Sequence, residues 1–142
     1  MTAPRDDARG SSPGDGSRFN ERYPAVARTP AQARAAIVAF AREHGGSQEA
    51  LAAVALAVSE AVTNVVVHAY HDAPAAGIVQ VSAEAASGQL LVTIADRGTG
   101  LRAAAATPGL GLGLAIIAQS AEGIDLKRAA GGGLELRMRF RL

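Results

Sequence analysis

At 142 residues the chain has the size of one domain, long enough to bury a core and too short for two. Its 49% hydrophobic and 19% charged residues fit a globular chain rather than a disordered one. A net charge of +1, an aromatic share of 4% and no cysteine argue against general nucleic-acid binding, polybasic membrane attachment and base stacking, and exclude disulfides, thiolate zinc sites and a cysteine nucleophile.

Residues 1–18, which include MTAPRDDARGSSPGDG, are rich in Gly, Ser, Asp, Arg and Pro and show no hydrophobic period. They are expected to form a flexible tail, and they lack the apolar run of a signal peptide. The folded domain is expected over 19–142. A short edge strand is predicted at 19–27, where Pro24 is tolerated. Thr29 followed by Pro30 reads as an N-cap with proline at the first helical position, opening a helix that stops at Gly45-Gly46. Ser47 caps a second helix running to about Tyr70, with Glu49 in its first turn. Its apolar stretch 51–58 is interrupted by Ser59 and Glu60, so no membrane span is expected, and a soluble, cytoplasmic protein follows.

Asp72-Ala73-Pro74 breaks the second helix. Segments 78–84 and 90–95, joined by a turn at Ser87-Gly88, read as an antiparallel hairpin. A glycine-containing loop fills 96–111, and a third helix is predicted over 112–121, ended by Gly123. Strands 124–128 and 134–142 close the chain. The last alternates cleanly, with Leu134, Leu136, Met138, Phe140 and Leu142 on one side and Glu135, Arg137, Arg139 and Arg141 on the other. The sum is an α/β two-layer sandwich with an antiparallel or mixed sheet and three helices on its apolar face.

Glu60, Asn64 and His68 recur at i, i+4 and i+8, which lines them up on one face of the second helix, with Ser59 and Thr63 beside them. The rest of that helix is apolar nearly all round, as a buried helix is. A solvent-facing stripe is the commonest fate of such residues. Solvated stripes usually carry Lys or Arg, however, and 51–70 has neither, so a stripe facing a polar cavity is the preferred reading. Amide and carboxylate oxygens suit magnesium, which keeps several waters and shares phosphate oxygens. Zinc fits poorly, for want of an H-E-x-x-H pair or a thiolate. Glu60 has an alternative use as a general base. His68 alone reads as a hydrogen-bonded structural histidine.

Asp96-Arg97-Gly98-Thr99-Gly100 sets a carboxylate just past a strand. There it can accept from an exocyclic amine such as that of adenine, while the glycines let the backbone approach a flat ring. A tight turn without a ligand has the same pattern. Pro108-Gly109-Leu110-Gly111-Leu112-Gly113 places glycines at a helix start, where free N–H groups and the macrodipole attract anions. Close helix–sheet packing explains one such glycine better than three. The loop has neither the Gly-Lys-Ser/Thr of a P-loop nor Rossmann spacing.

These segments together resemble the GHKL ATPases, the group of gyrase, a heat-shock chaperone, histidine kinases and a mismatch-repair ATPase. The run Ser59-Glu60-Ala-Val-Thr-Asn64-Val-Val-Val-His68-Ala69-Tyr70 resembles their N box, 96–100 their G1 box and 109–114 their G2 box. The wording of 60–70 and the short span between the last two boxes are similar to the anti-sigma-factor serine kinases of bacterial stress and sporulation control. The resemblance covers about 19–142. It implies a Bergerat (GHKL) ATP-binding fold, with ATP and magnesium as cofactors. Asn64 would ligand magnesium, and Asp96 would bind the adenine amine. Gly98, Gly100, Gly109, Gly111, Leu112 and Gly113 would complete the nucleotide site beneath a short lid over 100–113. Arg97 or Arg102 would help neutralise the phosphates. Glu60 would be the base that activates a serine on a partner, the anti-sigma antagonist. A sigma factor and a second copy of the chain are the other implied partners. Where the family commonly has Gly-Thr near the start of the last strand, this chain has Gly131-Gly132-Gly133-Leu134, which removes a hydroxyl from adenine recognition.

The implied activity is that of an ATP- and magnesium-dependent protein serine/threonine kinase acting as an anti-sigma factor. A non-catalytic ATP-binding partner switch is the alternative. A detached histidine-kinase-like domain fits less well, because no helical segment offers a phosphoacceptor unit. Nucleic-acid binding through Arg137, Arg139 and Arg141 is weaker still, since alternating arginines on one strand face are usually solvated.

Overall fold

The computed structural model describes residues 16–69, 77–97, 111–128 and 133–142, leaving out the side chains at 68, 69 and 111–114. Apolar residues alternating with polar ones build the sheet. Strand β1 spans Ser17–Pro24, two residues earlier than expected. β2 (Ile78–Ala86) and β3 (Gln89–Asp96) turn their apolar residues to one face, burying Val79, Val81, Ala83 and Ala85 on the first and Leu90, Val92 and Ile94 on the second. Ser87 and Gly88 join them with φ of 53° and 73°. Two consecutive positive φ values are what a type I′ hairpin turn requires, and Gly88 supplies one without a Cβ penalty. β4 (Gly123–Arg128) and β5 (Leu134–Arg141) complete a five-stranded sheet of order β1-β2-β3-β5-β4. Every neighbouring pair is antiparallel, which decides between the antiparallel and mixed arrangements.

Helix α1 (Thr29–Glu43) places Ala33, Ile37, Phe40 and Ala41 in the core. Thr29 is its first residue rather than its N-cap, which is Arg28. The Thr29 hydroxyl donates to the Pro24 carbonyl and so ties the helix to the end of β1. At the other end Gly45 has φ 88°, with Gly46 N donating to Ala41 O at 2.9 Å and Gly45 N to Arg42 O at 3.1 Å. This is the Schellman ending, which a left-handed glycine allows. Helix α2 (Gln48–Asn64) starts as expected, with Ala50 N donating to Ser47 Oγ at 3.1 Å.

The expected α-helical run to Tyr70 is not kept. A π-helical turn covers Val65–Ala69, so the i, i+4 spacing ends at Asn64. Widened turns of this kind occur mostly inside α-helices and often at functional sites. Helix α3 (Gly111–Ser120) packs on α2 from the side away from α1 and sends Ile117 into the core.

All three helices share one hydrophobic cluster with the inner sheet face, where Leu136, Met138 and Phe140 of β5 lie as the alternation predicts. The opposite sheet face carries no helix among the described residues. Gln48–Val67 is long and apolar enough to cross a membrane by length and composition, with a mean hydropathy of 2.0; Ser59 and Glu60 do not remove it from that class. Here it is the central core helix, with Val54, Ala57, Val58, Ala61 and Val62 wholly buried.

Candidate functional site

Asn64 ends α2 on its core side, 5% exposed among Ala61, Val62 and Val65, all at 0%. Its position follows from the helix period, which carries the apolar face of α2 onto the sheet and takes Asn64 with it. Buried amide groups nearly always find a hydrogen-bond partner. Asn64 Nδ2 has none among the described residues. A polar group held this way can serve a ligand, and its amide oxygen is a hard donor of the type magnesium accepts. No group of three or more His, Asp or Glu that could hold a metal occurs among the described residues. A magnesium ion here would therefore depend on Asn64 together with phosphate oxygens and water.

Asp96 closes β3 and is 2% exposed. It continues the row Leu90, Val92, Ile94, so its side chain lies on the helix-facing side of the sheet. Asn64 and Asp96 thus lie in the same inner layer, one from a helix and one from a strand. Register pairs Asp96 with Val79. On the outer face a hollow of about 370 Å³ reaches the same strand end, lined by Arg22, Gln80, Ala95, Asp96, Arg97 and Glu135. Arg97 is exposed immediately beyond the strand.

Glu60 stands one helical turn before Asn64 and is half-buried, as is Ser59, while Thr63 is exposed. The polar stripe is therefore graded from solvent to core instead of facing one environment. Sequence reasoning found no basic residue on it, but α1 brings one across: Arg34 Nη1 donates to Ser59 Oγ at 3.5 Å. The π turn ends the spacing that aligned His68 with Glu60 and Asn64, and the His68 side chain lies outside the described residues. So do Gly98, Gly100, Arg102 and Gly109. Gly111, Leu112 and Gly113 form the first turn of α3, where the backbone N–H groups at a helix start lack intrahelical partners.

Gly133 lies against the end of β3 that carries Asp96, a contact that sequence reasoning did not foresee. It has φ 78°, and a Cβ built on it would stand 1.8 Å from the Asp96 carbonyl oxygen and 2.6 Å from Arg97 Cα. A side chain is thus barred twice, by backbone conformation and by space. The triple glycine before β5 is its only signal in the sequence. Leu134, which follows it, is half-buried and packs on the core.

The family profile described as the histidine kinase-like ATPase domain matches residues 23–140. The chain belongs to this family. As a histidine kinase-like ATPase domain it is 35% identical over 85 residues to the anti-sigma F factor of Pasteuria penetrans, an alignment covering 60% of this chain and 57% of that protein. The anti-sigma F factor of Clostridium botulinum (strain Alaska E43 / Type E3) is 31% identical over 85 residues, 60% of this chain and 59% of its own length. The chain therefore spans under three fifths of the length of these curated relatives. In three dimensions the domain is similar to the crystal structure of the RsbU and RsbW domains of Rv1364c from Mycobacterium tuberculosis. The TM-score is 0.70 at 23% identity, covering 89% of this chain and 32% of that one. That likeness shows the fold, an antiparallel sheet with helices on one face.

Proposed function

We propose that this histidine kinase-like ATPase domain is an ATP- and magnesium-dependent serine kinase that acts as an anti-sigma factor in a partner switch. The observation that carries the reading is the burial of the Asn64 amide at the end of α2 and of the Asp96 carboxylate at the end of β3, both on the side of the sheet that holds the helices. The names of the anti-sigma F relatives support the choice of partners. That role would operate in the cytoplasm.

In this reading the Asp96 carboxylate accepts from the exocyclic amine of adenine and fixes the base. Gly133 keeps the strand end that carries Asp96 free of a Cβ. The first turn of α3 at Gly111, Leu112 and Gly113 directs backbone N–H groups toward phosphate. Asn64 would hold magnesium through its amide oxygen. When bound, that ion supplies charge neutralisation at the phosphates. Arg97, exposed beside Asp96, adds a positive charge at the same end, with Arg102, Gly98, Gly100 and Gly109 completing the set. Glu60 takes the proton of the antagonist's serine hydroxyl as that oxygen attacks the γ-phosphorus and ADP leaves. The phosphoserine then weakens the antagonist's own interface by adding charge.

The test is transfer of radiolabelled γ-phosphate from ATP to an antagonist protein. Glu60→Gln keeps the size and removes the base, and is expected to slow transfer by roughly 10²–10⁴-fold with ATP binding retained. Transfer at the unaltered rate would overturn the assignment of Glu60. ATP-dependent complex formation without any phosphoprotein would make the domain a non-catalytic switch.

A further inference from the structure

The sheet face away from the helices carries the residues that alternate with the buried rows. Register sets Leu91, Arg139 and Gly123 side by side across β3, β5 and β4, with Thr93, Arg137 and Asp125 in the next row. An open hollow of about 490 Å³ lies over these rows, lined by Leu91, Gly123, Ile124, Asp125, Arg137 and Arg139. The two arginines are next but one on the same strand face, about 7 Å apart by strand rise, so like charges stand side by side. Arg139 makes no ion pair and no side-chain hydrogen bond among the described residues. Arg137 meets Glu135 through Nη2 at 3.4 Å, and its Nε is buried without a partner among the described residues. Gly123 makes room for Arg139. A Cβ built on that glycine would stand 2.6 Å from Arg139 Nη2 and 3.2 Å from its Cζ, so the guanidinium lies across β4 over the glycine.

We propose that this hollow binds a small phosphate monoester that also carries an ammonium group. Guanidinium forks match oxyanions that offer several acceptors. A phosphate monoester has close to two negative charges and three acceptor oxygens, enough to engage both arginines. An anion between them also removes the repulsion of the two neighbouring cations. Asp125 sets the rest of the ligand. It stands opposite Arg137 in register and makes no ion pair among the described residues. Its carboxylate repels a bare phosphate and attracts an ammonium group at the ligand's other end. Half-buried Leu91 gives the short carbon chain between the two ends an apolar floor. The charges of the flanking rows offset one another, with Arg18 at 2.8 Å from Glu84 on one side and Lys127 opposite Glu135 on the other. The hollow has the volume of a small-molecule site. It lies on the other sheet face from the side chains of Asn64 and Asp96, and so is separate from the proposed nucleotide site.

The experiment is titration of the full chain with O-phosphoethanolamine, and in parallel with inorganic phosphate, followed by calorimetry and by backbone amide NMR. Saturable binding with a Kd of about 1 mM or below is expected, tighter than for inorganic phosphate, with shifts at 123–125 and 137–139. Arg139→Gln is expected to weaken it about tenfold or more. Gly123→Ala should weaken it without any change of charge. The φ of Gly123 is not positive, so alanine suits the backbone, and its Cβ displaces the Arg139 guanidinium. Asp125→Asn is expected to abolish the preference for phosphoethanolamine over phosphate. Arg42→Gln removes the same charge from an exposed residue of α1 and should leave the affinity within about twofold. Circular dichroism checks that each variant is folded. Absence of saturation up to about 50 mM overturns the proposal. So does a loss in Arg42→Gln as large as in Arg139→Gln, or a set of shifts confined to 111–113. Equal affinity of the wild type for phosphate and phosphoethanolamine overturns it as well.

Discussion

Thr29, Asn64 and Asp96 are the buried polar side chains among the described residues. Thr29 is explained by its bond to the Pro24 carbonyl. Asn64 Nδ2 has no such explanation inside the described fold, and a group of this kind detracts from stability unless a ligand uses it. Asn64→Ala is accordingly expected to leave the unliganded domain within about 1 kcal/mol of wild-type stability. By calorimetry it should lower ATP affinity roughly tenfold with magnesium present and little without it. Asp96→Asn should behave differently: replacing an accepting oxygen with a donor toward the adenine amine is worth about 1.5–3 kcal/mol, with or without metal. Equal losses in both variants under both conditions would contradict the division of roles. The i, i+4 spacing made Glu60 and Asn64 legible together in the sequence. Their difference in burial was not, because it depends on where the sheet lies.

At the scale of elements, local chemistry was the legible part. The Ser47 cap, the Ser87–Gly88 turn and the β5 alternation each depend on a few neighbouring residues, and the structure carries all three. Features made by distant contacts were not legible. Three consecutive valines at 65–67 give no local sign of a π turn, and Arg34 reaches Ser59 only because α1 packs beside α2. Gly133 belongs to the same class, since its constraint comes from the end of a strand far away in sequence. Gly133→Ala would impose the left-handed penalty and force the Asp96 backbone aside. Denaturant melts are expected to show a loss of roughly 2–5 kcal/mol. At temperatures where the variant stays folded, ATP binding should still fall, because the displaced backbone carries Asp96. Normal binding in the folded variant would remove Gly133 from the site.

For the whole molecule, burial decides what α2 is. Its hydropathy alone would admit a membrane, while its packing between α1, α3 and the sheet makes it the spine of the domain. β1 seals one side of this assembly, and Tyr23 lies there with its hydroxyl pushed up to about 12 by partial burial and by the hydrogen bond and charge of Glu21. A folded-state value above the ordinary 10 means that the unfolded chain loses its phenolic proton first as pH rises. The stabilising contribution is therefore complete below pH 10 and disappears between about 10 and 12. Ultraviolet titration of the Tyr70→Phe variant, which leaves Tyr23 as the sole tyrosine, should show the late phenolate. Tyr23→Phe should reduce the loss of stability over the same range, as followed by circular dichroism.

The hairpin turn has a practical consequence for measuring such changes. Leu142 N donates to Gly88 O at 2.9 Å, so the final strand and the β2–β3 turn meet at one end of the sheet. Asp96 is at the other end of β3, roughly 23 Å away by strand rise. A fluorescent reporter or affinity tag appended after Leu142, or grafted between Ser87 and Gly88, would sit remote from Asp96. With no native thiol in the chain, one cysteine introduced at Ser87 would give a single attachment point for tethering the domain to a surface with its Asp96 end outward.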